Sequence, residues 1–420
     1  MRGAGQQAVM LAFLTLLMAC TSATDSPLHH PSGAGAWIPP PQTPFADYIR
    51  QNEERIRQAL TTHHYAAQPE PFGPGYPLER AVAMRAPYEL RNAAAPCPQE
   101  AARPGFLLIH GLTDSPYLLR GVAESLLQAF PCALLRGVLL PGHGTVPGDS
   151  LDMRHEDWLR VTEYGVDSFR GEVDGLYLVG FSTGTSLSVR YADAHRDDAL
   201  LRGLLMLSPA LAARSESAWL SPYARWFSRW LGRDAERDAA RYESFSMNAG
   251  AEFYLLTRDL SDPDFPPLQL PVFMAGSGDD TTVNMEVARE FFCSKTPAQS
   301  RRMLWYSAQA TGSTPAVTCE GLQVVPAEAP EQRVYSLSHT AISVPPTDPH
   351  YGLDGDFALC GHFRDADYET CRHDPTATVY GERNLGEGGR YEGRLVRRGS
   401  FNPHYEAMLA DMVCFIQGTC

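Results

Sequence analysis

The pentapeptide Gly180-Phe181-Ser182-Thr183-Gly184 constrains this chain more than any other feature. It follows an apolar run, Leu176-Tyr177-Leu178-Val179, and opens a stretch that can be helical. That order predicts a buried strand, a sharp turn with a serine at its tip, and a helix. Glycines at both ends of such a turn let strand and helix approach closely. Ser182 Oγ would then stand at the carboxyl edge of a sheet beside the free amides of a helix N-terminus. Taken alone, the pattern also describes an ordinary glycine-rich strand–helix turn, so the rest of the chain decides.

The surrounding sequence alternates strands with helices. Strands are predicted at 106–109, 133–140, 176–179, 204–207, 271–275 and 302–306, with an early one at 88–90. Helices are predicted at 45–60, 117–130, 155–169, 284–292 and 401–416, and from the serine turn to about His195. This is the pattern of a mostly parallel sheet with helices on both faces. With 44% hydrophobic residues the chain can bury a substantial core.

Two stretches break the alternation. In about 211–268, Ser221-Pro222 starts a helix that Gly232 can stop, with Tyr223, Trp226, Phe227, Trp230 and Leu231 on one face. We expect a cap helix packed on the domain; the alternative is a lid whose aromatic face meets lipid or acyl chains. The second stretch, about 307–400, is rich in Pro and Gly and reads as irregular, disulfide-held surface structure. The main domain is expected to span 44–420.

The formal charge of −14 argues against nucleic acid as a partner. Arginine supplies every basic side chain but Lys295. At the amino terminus, Arg2 and the apolar run Ala8–Met18 form a leader (1–19) too short to span a bilayer. Leu17-Met18-Ala19-Cys20 resembles a bacterial lipobox, which implies acylation of Cys20 and a membrane surface as partner. Thr21 after the cysteine resembles lipoproteins sent to the outer membrane, facing the periplasm. Residues 20–43 would form a lipidated, flexible tether. The eight remaining cysteines, an even number in an exported chain, point to disulfides. Nearest neighbours give 97–132, 293–319, 360–371 and 414–420, although spacing does not determine connectivity. No Cys-x-x-Cys pair is present, so a metal site is not expected, and no cofactor is implied.

A serine hydroxyl needs a base, a carboxylate to orient that base, and donors for an oxyanion. His110-Gly111-Leu112-Thr113-Asp114-Ser115 follows the 106–109 strand. Gly278-Asp279-Asp280-Thr281-Thr282-Val283 follows the 271–275 strand. Ser338-His339-Thr340 follows Arg333–Leu337, read as a further strand. The later histidines 350, 362, 373 and 404 do not follow a strand in this way. Together with Leu140-Pro141-Gly142-His143-Gly144, these segments resemble the carboxylesterase and monoacylglycerol-lipase branch of the α/β-hydrolases over about 105–345 and the last helix.

That resemblance implies an α/β-hydrolase fold and a Ser182, Asp280, His339 triad, in the hydrolase order. The amides of Leu112 and Thr183 would bind the oxyanion. Asp280 is preferred because relatives commonly place an apolar residue three positions after the acid, here Val283; Asp279 is the alternative. His110 and His143 would be structural. The implied activity is hydrolysis of acyl esters, lipid or lysophospholipid, with removal of amino-terminal residues from peptides as the alternative; a non-catalytic binding lipoprotein is the third reading. Two features depart from the pattern. Some thirty residues separate the 302–306 strand from His339, part of them read as a hairpin excursion, and the cap is unusually rich in tryptophan.

Overall fold

A computed structural model of the protein describes residues 26–35, 37–92, 97–98 and 100–420. The leader and Cys20 lie outside the described residues. In chain order the strands are β1 (Tyr88–Leu90), β2 (Pro104–Ile109), β3 (Leu134–Val138), β4 (Gly175–Phe181), β5 (Leu201–Leu207), β6 (Trp230–Gly232), β7 (Phe245–Ser246), β8 (Val272–Ser277), β9 (Arg301–Ser307), β10 (Leu322–Pro326), β11 (Thr378–Gly381), β12 (Arg390–Tyr391) and β13 (Arg394–Arg398). Eight of them form one sheet in the order β1-β3-β2-β4-β5-β8-β9-β10. Only β1 runs antiparallel to its neighbour.

Strand alternation explains why the sheet is covered on both faces. Phe106 and Leu108 belong to one hydrophobic cluster, and Leu107 and Ile109 to the other. A strand buried on both sides has to be apolar at every position, which is how β2 reads. The helices Arg120–Ala129 and Tyr405–Gln417 contribute Val122, Leu126, Tyr405 and Met412 to the first cluster. The helices His155–Asp167 and Met285–Lys295 contribute Trp158, Val161, Ala288 and Phe292 to the second. Three helices escaped the sequence reading: Leu78–Arg85, Met247–Thr257 and Asp365–His373. All four nearest-neighbour disulfides are formed.

Several expectations require correction. The cap does not contain one helix over 221–232. The helix ends at Ala224, the chain turns, and Trp230–Gly232 pairs antiparallel with Phe245–Ser246. Ser228 bonds locally to Trp230 O (3.0 Å), and Trp230 itself has strand preference. Tyr223, Trp226 and Phe227 therefore do not pack on the domain: Trp226 and Phe227 are 79% and 92% exposed.

The supposed tether is also not free where it is described. His29 is buried, bonds Ser244 Oγ (3.1 Å) and meets the Trp230 ring edge-on. Ser32 donates from N and Oγ to Asp149, both at 2.6 Å. Gly142 N–H donates to Gly35 O (2.6 Å), and the Asp149 side chain leaves no room for a Cβ at Gly35 (2.4 Å).

The 307–400 stretch is more ordered than its composition indicates. β10 joins the main sheet parallel to β9, so the expected hairpin excursion is a crossover, tied by Cys293–Cys319. Further on, a helix at Asp365–His373 is clipped by Cys360–Cys371, and β11, β13 and β12 form a small sheet. Arg333–Leu337 is not a strand. Its Val334 makes isolated bridges to Ala329 and Tyr380, and its apolar residues are buried within a loop.

Candidate active site

The site sits at the carboxyl ends of β2, β4 and β8. Ser182 is at the turn between β4 and the helix Thr183–Ala194, with φ 51° and ψ −119°. A non-glycine residue at positive φ is uncommon and costs free energy that surrounding contacts have to offset. The glycines make the turn feasible. A Cβ on Gly184 would lie 1.9 Å from Ile109 O, and one on Gly180 would lie 2.6 Å from the Gly184 backbone.

Three sequence-predicted residues come together. His339 Nε2 lies 2.8 Å from Ser182 Oγ, and His339 Nδ1 lies 2.5 Å from Asp280 Oδ2. Asp280, rather than Asp279, is thus the carboxylate on the histidine. Burial alone would raise the Asp280 carboxyl, but the His339 ring and the Thr282 and Val283 amides outweigh it and hold the group below its ordinary value. Asp279 faces away and accepts from the Thr311 hydroxyl, and burial raises its carboxyl. His339 rides on a loop rather than a strand end. Its carbonyl accepts Ser208 Oγ (2.6 Å), while its neighbours Ser338 and Thr340 both donate to Gly399 O.

Leu112 and Thr183 line the same cavity as Ser182. Thr183 opens its helix, so its amide is one of those without an intrahelical acceptor. Gly111 brings the other loop close: a Cβ there would be 2.9 Å from Ser182 Cβ. Beneath this loop, His110 Nδ1 donates to Gly111 O (2.8 Å), and its Nε2 accepts from Leu140 N–H (3.0 Å). His143, buried, sits with Nδ1 3.2 Å from Leu140 O, and its ring is 5.0 Å from that of His110. Burial drives both imidazoles down, His143 to about 4.

The cavity over Ser182 encloses about 780 Å³. Leu220, Ala224, Leu231, Phe245 and Phe253 of the cap give it an apolar lining. Five charged residues also line it and were not anticipated from the sequence: Asp114, Arg241, Glu243, Arg383 and Arg398. Asp114 sits inside the His110–Ser115 segment, where its place could have flagged it. Arg383 and Arg398 carry no signal in a chain this rich in arginine. Elsewhere, His155, Glu156 and Glu252 bring potential ligand atoms within 4.8 Å of one another. Glu252 is already engaged there by His155 (2.6 Å) and by the Arg225 guanidinium (2.6 Å), an ion-paired link between the cap and the helix His155–Asp167.

Residues 106–350 match the α/β hydrolase family, and the chain belongs to it. Over 115 residues it is 30% identical to the thermostable monoacylglycerol lipase of Bacillus sp. (strain H-257). That stretch is 27% of this chain and 45% of the relative, so less than half of that protein's length is matched. Among solved structures, the chain is similar to a monoacylglycerol lipase of Paleococcus ferrophilus at 18% identity and a TM-score of 0.42, covering 53% of this chain and 88% of that one. It is also similar to Est1E of Butyrivibrio proteoclasticus bound to ferulic acid, at 21% identity and a TM-score of 0.37, covering 53% and 84%.

Proposed function

We propose that the chain is a serine hydrolase that cleaves carboxylic esters of acyl chains through an acyl-enzyme on Ser182. The observation that carries this reading is the hydrogen-bonded run Ser182–His339–Asp280 opening into a cavity with an apolar wall. His339 Nε2 takes the Ser182 proton as Oγ attacks the ester carbonyl, and then delivers it to the departing alcohol. Asp280 holds the Nδ1–H tautomer and stabilises the imidazolium. The Leu112 and Thr183 amides receive the oxyanion, a contribution of about 3 kcal/mol per donor in such sites. Water, deprotonated by His339, then releases the acid. The apolar cap lining supports an acyl group as the part that is bound, and the partial identity to a monoacylglycerol lipase supports a lipid ester.

In this reading the enzyme is tethered to a membrane, in the bacterial envelope, by an acyl group on Cys20. His29 comes nine positions after Cys20 and packs on Trp230 of the cap. An extended chain of that length reaches about 30 Å at most. The anchor would therefore hold the exposed cap aromatics within reach of the same membrane.

A fluorophosphonate probe tests the chemistry. Wild-type protein should be labelled, and Ser182→Ala should not. Folded wild-type protein that is neither labelled nor active on 4-nitrophenyl esters would overturn the proposal. Turnover of aminoacyl amides in preference to acyl esters would replace it with the peptidase alternative.

A further inference from the structure

The cavity over Ser182 has two unlike linings. One is the apolar cap. The other carries three arginines, Arg241, Arg383 and Arg398, of which Arg383 and Arg398 bond the Thr281 and Thr282 hydroxyls. Arg383 and Arg398 belong to the small sheet region beyond residue 350, outside the family match.

Carboxylates among the described residues pair with two of these cations and leave the third, Arg383, unpaired. Asp114 and Glu243 line the cavity. Asp114 lies 3.7 Å from Arg241, and Glu243 accepts the backbone N–H groups of Arg237 and Asp238. Arg398 donates to the buried Glu382 (3.1 Å) and, through Nη2, to Thr282 Oγ1 (2.6 Å). Arg383 reaches only a hydroxyl: its Nε donates to Thr281 Oγ1 (3.2 Å). Among the described residues no carboxylate pairs with the Arg383 guanidinium. Arg383 is exposed to solvent yet lines the cavity, so its unpaired charge draws an anion toward that cleft. Guanidiniums beside hydroxyls also present the donor array that phosphate and carboxylate oxygens accept. Thr281 and Thr282 directly follow Asp280, so this array borders the reacting centre.

We infer that the substrate is an anionic amphiphile: an acyl ester whose alcohol part carries a phosphate or carboxylate group, held by Arg383 and Arg398 while the acyl chain lies along the cap. This deepens the ester-hydrolase reading and rests on it.

The experiment compares three dodecanoyl monoesters as monomers in solution: those of glycerol, glycerol 3-phosphate and glyceric acid. Turnover of 4-nitrophenyl butyrate serves as a separate control. If wild type fails on the control as well, the hydrolase reading itself fails; a result on head groups alone concerns only this inference. For wild type, kcat/KM should be at least about tenfold higher for an anionic ester than for the glycerol ester. A preference for the phosphate ester alone identifies a phosphate head group, and equal gains identify any anion. Arg383 is exposed, so Arg383→Glu should fold, with an unchanged Tm as the check. It should lower the anionic-to-neutral ratio by about a hundredfold, mainly through KM, whereas Arg383→Lys keeps most of it. Independently of any variant, added salt should lower kcat/KM for the anionic ester and spare the neutral one. A wild-type ratio at or below one, or a ratio unchanged in Arg383→Glu, overturns the inference.

Discussion

Two buried histidines, His110 and His143, should make the fold acid-sensitive in a defined window. His143 has one ring nitrogen facing the Leu140 and Pro141 carbonyls, while its Nε2 is buried with no partner among the described residues. A second proton would have no acceptor, and burial accordingly moves the group from 6.5 to about 4. In the unfolded chain the same ring titrates near 6.5. Below that pH the unfolded state binds more protons, so stability falls as pH falls, down to the folded value near 4. At pH 5 this one ring should remove about 2 kcal/mol relative to pH 7.5. His110, shifted in the same direction, adds to the loss. The assay is equilibrium urea unfolding, disulfides intact, at both pH values for wild type and His143→Gln. Glutamine keeps a donor toward the two carbonyls but does not titrate. The substitution costs stability at every pH; the test is whether the loss between pH 7.5 and pH 5 shrinks by about 2 kcal/mol. If both proteins lose the same amount, His143 is not held neutral by burial, and the reasoning fails.

The remaining expectations are more direct. Asp280→Asn should lower kcat on acyl esters by about three to four orders of magnitude, while Asp279→Asn stays within about tenfold; steady-state kinetics on both variants decides between the neighbours. Gly184→Ala forces a Cβ against the Ile109 carbonyl and should cost about 3 kcal/mol or more, read from denaturant midpoints. Trp226→Ser with Phe227→Ser should change stability by less than about 0.5 kcal/mol per site, because both rings are exposed. In a Cys20→Ser background the same pair should weaken co-sedimentation with phospholipid vesicles more than tenfold, since each ring buried in lipid is worth about 1.5–3 kcal/mol. Equal sedimentation would show that the cap does not meet the membrane.

The sheet was legible because its strands lie between glycines and polar turns and are apolar at nearly every position. Phe106–Ile109 and Leu176–Val179 leave little alternative to a doubly covered strand. The site was legible for a different reason. Ser182, Asp280 and His339 each follow an element that the sequence marks, or stand close to one. His339 was reached on imperfect grounds: Arg333–Leu337 is apolar enough to read as a strand, yet it is buried as a loop by bridges to Ala329 and Tyr380. The cap misled because Tyr223, Trp226, Phe227 and Trp230 recur near helical spacing, and exposure has no local signature when hydrophobic residues usually mark the interior. The strap at 26–35 was unreadable because Pro, Ser and Gly say nothing about which distant groups they meet. Its partners, Asp149 and Ser244, lie over a hundred residues away.

The small β11–β13 sheet has a consequence for how the proposed specificity could change. Gly399, just after β13, accepts the hydroxyls on both sides of His339, and the residue before it, Arg398, ends that strand and lines the cavity. One piece of chain thus holds the base in position and supplies a cation to the cavity. In many enzymes a specificity loop is a replaceable module grafted on an indifferent scaffold. Here an exchange of residues 378–400 would unseat the imidazole along with the arginines. New specificity is more accessible through single side chains such as Arg383, or through the cap, than through wholesale replacement of the insertion.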